Sequence, residues 1–147
     1  MKILRSKKGF TLLEVLLVIA IIAVLAAIVI IAINPGKQMG ESRNAQRRSD
    51  VNTILNAVYQ YSIDNNGQVP TGITATATDV CLTTATVCTG LVDLTALTTN
   101  GTYLTAMPID PSATGSSTGY QISRDTTTGR ITVVAPSAED TTITVTR

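Results

Sequence analysis

Few residues in this chain could do chemistry, and their types limit what that chemistry could be. The 147 residues include no His and no Trp. Ser-His-Asp and Cys-His catalytic centres therefore cannot be built, and neither can His-ligated zinc sites. Two Cys are too few for a four-thiolate cluster. The candidates that remain are Gly9 and Phe10 at the edge of an apolar run, Glu14 inside it, Cys81 and Cys88, and the carboxylates Asp110 and Asp125. Glu14 is the least ordinary of these. An ionisable side chain in a membrane helix costs about 2.5–3.5 kcal/mol at the centre and less near the interface, so it points to a function. A local role is also open: Thr11-x-x-Glu14 fits a capping box, and a first-turn carboxylate suits the helix dipole. The two roles are compatible.

The element that must hold Glu14 is plain. Residues 10–33 form an apolar run of 24 residues interrupted only by Thr11 and Glu14. As a helix it would be roughly 36 Å long, enough to cross a hydrocarbon core of about 30 Å with some tilt. Lys2, Arg5, Lys7 and Lys8 precede it with no acidic residue among them, while residues 10–147 carry seven basic and ten acidic side chains, a net of −3. The positive-inside rule then keeps the N-terminus in the cytoplasm and sends the remainder across. The run is too long for an ordinary secretory signal. A plain single-pass anchor fits its length but leaves Glu14 without a role. Overall the chain is 44% hydrophobic, 14% charged and of mean hydropathy +0.29, with net charge +1. That suits a membrane element plus one small domain, and argues against a strongly electrostatic nucleic-acid binder. Arg43, Arg47 and Arg48 do not change this. Arg43 and Arg47 read as an i, i+4 pair on a solvated helix, balanced by Glu41 and Asp50 and without interleaved aromatics.

The junction reads Lys7-Lys8-Gly9-Phe10-Thr11-Leu12-Leu13-Glu14. It resembles the leader and cleavage site of type IV pilins and of the pseudopilins of type II secretion, and the likeness continues through the whole hydrophobic helix. The resemblance implies that a membrane-embedded prepilin peptidase cuts after Gly9 and that the new N-terminal Phe10 is N-methylated. It also implies that Glu14 meets the free amino group of Phe10 on a neighbouring subunit. The implied partners are the peptidase, membrane lipid before assembly, the inner-membrane assembly machinery, and other pilins in a homo- or hetero-oligomeric filament. From residue type alone, Gly9 suits a scissile position beside a membrane but would serve equally as a flexible joint.

Beyond the run, Asn34-Pro35-Gly36 predicts a kink or break. Val51, Ile54, Leu55, Val58 and Ser62 then make an amphipathic stripe at helical spacing, ended near Gly67. From there the composition turns to Thr, Ala, Gly and Ser. Residues 69–92 read as a long loop with one short strand, and residues 93–104 as a short helix or turn. Alternation around Ile122, Ile131-Val133 and Ile143-Val145 predicts about three antiparallel strands. Cys81 and Cys88, on the translocated side, are expected to form a local disulfide rather than remain two separate thiols. Pro108-Ile109-Asp110-Pro111 is similar to a stretch that precedes a calcium loop in major pseudopilins. Asp110 and Asp125 are accordingly the only metal candidates, for calcium, although residues 112–117 add no carboxylate and calcium wants six to eight oxygens. Otherwise Pro108 and Pro111 would stiffen a turn and Asp110 would hydrogen-bond to backbone. No other cofactor is expected.

The expectation is an α+β, pilin-like chain: leader 1–9, apolar assembly helix 10–33, amphipathic continuation 34–66, and a small Thr-rich β head 67–147. Its function would be structural rather than enzymatic, a subunit of a type IV pilus or type II secretion pseudopilus held in the cytoplasmic membrane and then in an extracytoplasmic filament. A single-pass anchored binding module with an extracytoplasmic head is the alternative.

Overall fold

The computed structural model describes residues 9–147, so Lys7 and Lys8 lie outside the described residues. Two compact units divide between Met39 and Gly40. In the first, Thr11 starts helix α1 (Leu12–Ile33): its backbone is extended, and its hydroxyl accepts a hydrogen bond from the Glu14 N–H at 3.2 Å. The 22 residues of α1 give about 33 Å of helix. Apart from Glu14 it is apolar all round, and not one of its residues is buried. A helix of that kind needs a non-aqueous surrounding, and α1 is long and apolar enough to cross a membrane.

Asn34 closes α1 in the left-handed region at φ 43° and opens α2 (Pro35–Asp64). Its carbonyl accepts from the N–H groups of Lys37 and Gln38 at 3.1 and 3.3 Å. Pro35 sits at the first position of α2, where a missing N–H costs nothing. The predicted break at residues 34–36 is thus one residue wide: Asn34 ends one helix and caps the next.

The second unit is Gly40–Arg147. Its sheet contains β1 (Thr78–Cys81), β2 (Ser117–Arg124), β3 (Ile131–Ala135) and β4 (Ile143–Thr146), adjacent in that order and antiparallel throughout. One turn of helix, α3 (Thr95–Thr98), lies between β1 and β2. The chain is therefore α+β, with four strands where alternation alone suggested three. β1 is the one short strand expected within residues 69–92; it is too short, and too bulged between Asp79 and Cys81, for alternation to mark its bounds.

Alternation builds the core. Thr118, Tyr120 and Ile122 of β2 and Ile131, Val133 and Ala135 of β3 all turn inward. They meet the α2 stripe Val51, Ile54, Leu55 and Val58, each at most 1% exposed. Burying each of these aliphatic side chains contributes roughly 1.5–3 kcal/mol. Gly67, at φ +83°, follows the end of α2 as the sequence required.

Candidate functional site

Two regions of the chain carry groups that could act, and each is built differently. At the start of α1, Gly9 and Phe10 precede the helix and are exposed, Phe10 at 84%. Among the described residues, a side chain added to Gly9 would meet nothing within 4 Å. Phe10, Glu14, Val15, Val18 and Ile19 line a shallow hollow of about 280 Å³ along one face of the helix. Glu14 stands one turn beyond Phe10 on that face. The cap bond to Thr11 uses the Glu14 backbone N–H, which is Thr11's half of the capping box.

The second region is in the head, and here a sequence expectation fails. Arg47 is not on a solvated face. It is wholly buried. Its Nε donates to Asp110 Oδ2 at 2.6 Å and its Nη2 to Asp110 Oδ1 at 3.1 Å. Nη2 also donates to Ser112 Oγ at 3.0 Å, while Nη1 reaches Asn44 Oδ1 at 3.0 Å and Glu139 Oε1 at 3.1 Å. Arg43 forms a second fork on Glu139, with Nε and Nη2 each 2.6 Å from a carboxylate oxygen. Asn44 completes the join by donating to the Glu139 carbonyl at 2.6 Å and accepting its N–H at 3.0 Å. One turn further along α2, Asp50 accepts from the buried Tyr120 hydroxyl at 2.6 Å and from Gln46 at 2.8 Å.

Sequence and backbone place these partners. Arg47 lies four residues before Val51, on the same face of α2. Asp110 is held by its N–H to the Thr118 carbonyl at 2.9 Å, just where β2 begins, and Glu139 lies in the β3–β4 connection. Gly119, at φ +81°, is what lets the loop close: a Cβ there would stand 2.8 Å from Asp110 Cβ. The cluster thus ties the start of the head's helix to two loops of the sheet.

The charges respond as the geometry requires. Bidentate hydrogen bonding from Arg43, with Arg47 adding to it, pulls the Glu139 carboxyl down to about 2. Burial alone would raise Asp110, but the Arg47 guanidinium and the Ser112 N–H outweigh it and hold Asp110 below the usual carboxylate range. Asp110 in turn drives Arg47 above the ordinary arginine value, against burial and with help from Glu139. Burial, reinforced by Asp50, pushes the Tyr120 phenol far up.

The remaining sequence candidates are dispersed. Cys81, in β1, and Cys88, in the loop after it, are joined by a disulfide. Asp125 opens the β2–β3 turn, where its Oδ1 accepts the N–H groups of Thr127 and Thr128 at 2.8 and 2.7 Å. Asp110 and Asp125 flank opposite ends of the eight-residue β2, on the order of 20 Å apart along the strand. They cannot share an ion. Among the described residues no three His, Cys, Asp or Glu gather as a metal would need. Calcium also fits Asp110 poorly by itself, since Arg47 takes both of its oxygens.

Residues 4–33 match the family model of the prokaryotic N-terminal methylation motif. No curated protein and no solved structure matches the chain.

Proposed function

We propose, from the premise that residues 4–33 are the prepilin motif of type IV pilins and pseudopilins, that this chain is a structural subunit of a type IV filament. The motif implies processing by prepilin peptidase and assembly with other pilins, and it points to a structural subunit rather than an enzyme. One observation carries the reading. The exposed Gly9–Phe10 junction stands directly before a 22-residue helix that is apolar but for Glu14 and has no buried residue.

The mechanism follows from that helix. Lipid covers α1 while the subunit waits in the membrane, and sister helices cover the same surface after assembly. Exchange of one apolar surrounding for another needs a discriminating contact, because lipid tails are as apolar as Leu. Cleavage after Gly9 supplies one half of it, the cationic amine of Phe10. Glu14, one turn along the same face, supplies the other, offered to the amine of a neighbouring subunit. Pairing relieves two partly desolvated charges at once.

The chain's own N-terminus tests this. Intact-mass and N-terminal peptide analysis of the protein from its native host should find Phe10 as the first residue, with a methylated amine. Gly9→Val should leave an uncut precursor in the membrane, since a β-branched side chain would stand where the junction is now bare. Assembled protein that retains residues 1–9 would overturn the reading and favour a permanently anchored binding module.

A further inference from the structure

A buried guanidinium usually marks a place where charge is needed inside a fold and cannot come from solvent. Arg47 is such a case. Guanidinium has five N–H donors, and five oxygens surround this one at 2.6–3.1 Å: two of Asp110 and one each of Asn44, Glu139 and Ser112. Three of the five are carboxylate oxygens, and they are spread over the three nitrogens of the planar group rather than gathered about one point as a calcium ion needs. Here the charges already balance. Arg43 and Arg47 together offset Asp110 and Glu139, with every contact direct. Asp50, the buried acid of α2, is held by Tyr120 and Gln46 instead.

We infer that Arg47 is the head's resident cation: its guanidinium takes both Asp110 oxygens and one of Glu139, so the head fastens these loops without calcium. The loop carrying Asp110 and Ser112, and the β3–β4 connection carrying Glu139, are fastened to α2 by a group that cannot diffuse away or be chelated. The head's folding is then indifferent to divalent ions outside the cell. This inference stands apart from the filament reading, since it concerns only how the head is held together.

The test uses the full chain in detergent micelles, with the head's unfolding followed by scanning calorimetry. Wild type should melt within about 1 °C in ~1 mM EDTA and in ~5 mM calcium chloride. A site of roughly 10 μM affinity would instead raise Tm by several degrees across that range, and such a rise overturns the inference. Two variants separate charge from volume. Arg47→Lys keeps a cation in the pocket, whereas Arg47→Met keeps the length and removes the charge. Arg47→Lys should melt well above Arg47→Met, and the reverse order overturns the inference. If neither variant folds, the wild-type comparison decides alone.

Discussion

Replacing Glu14 by Leu should separate membrane insertion from filament assembly. The helix contains sixteen Leu, Ile or Val, five Ala and one Glu. At about −0.3 to −0.6 kcal/mol for each large aliphatic residue, insertion is favourable by roughly 5–10 kcal/mol. Glu14, in the first turn, opposes this by less than about 3 kcal/mol, so its removal can only improve insertion. The N-cap survives as well, because the Glu14 N–H that Thr11 accepts is retained by Leu. What is lost locally is the interaction of a carboxylate with the helix dipole, about 0.3–1 kcal/mol. The loss on assembly is larger. An amine of Phe10 buried without its counter-charge costs about 3–5 kcal/mol, which is more than 100-fold in the equilibrium for each contact. The assay compares membrane-bound and sheared filament fractions of both proteins, with mass spectrometry of each fraction. Glu14→Leu should be cut, inserted and absent from filaments, and rare in mixed filaments formed with wild type. Filaments of normal abundance built from Glu14→Leu alone would refute the pairing and leave Glu14 a dipole partner of its own helix.

Tyr120→Phe should destabilise the head by about 1.5–3 kcal/mol in urea titration, since it removes a buried hydrogen bond to a carboxylate. Because the folded-state phenol is held above its ordinary value of 10.0, wild type should lose stability as pH rises past that value, and the variant should lose less. On the acid side the sign reverses: Glu139 and Asp110 are depressed in the folded state. Their contribution should be intact above the usual carboxylate range; that of Glu139 should fall away between 4.5 and about 2 and that of Asp110 as pH falls below 3.8, which melting curves would follow. Replacing Cys81 and Cys88 together by Ser should cost about 2–3 kcal/mol, the loop-closure value for a seven-residue separation. A thiol titration of unreduced wild type should find no free thiol.

The parts of the fold governed by local rules were legible in the sequence. Thr11 read as an N-cap and is one. Asn34-Pro35-Gly36 read as a break, and Asn34 makes it. The stripe on α2 and the alternation of β2, β3 and β4 have regular periods and emerged with the expected inward faces. A short strand was expected within residues 69–92, but its bounds were not legible, because the bulge in β1 destroys the period and its second edge is partnered only by the isolated Val92. No local pattern announces a contact of that kind.

The Arg47 cluster is the instructive failure, because half of its signal was present. Stepping back from Val51 at the spacing of the stripe gives Arg47, then Asn44, then Gly40, and all three are buried. The same period that marked the apolar face therefore ran on through polar residues. Arg43 and Arg47 instead suggested a solvated pair because charge outweighs position in any reading of composition. Yet a guanidinium on the buried face of an amphipathic helix has only two physical outcomes: it breaks the packing, or it finds acids on the element opposite. Asp110 between two prolines and Glu139 in a loop are such acids, 63 and 92 residues away along the chain. Nothing in the sequence pairs either of them with Arg47; only the closing of the sheet over α2 does. The helix thus declared that a partner was required, and the sheet alone determined which one.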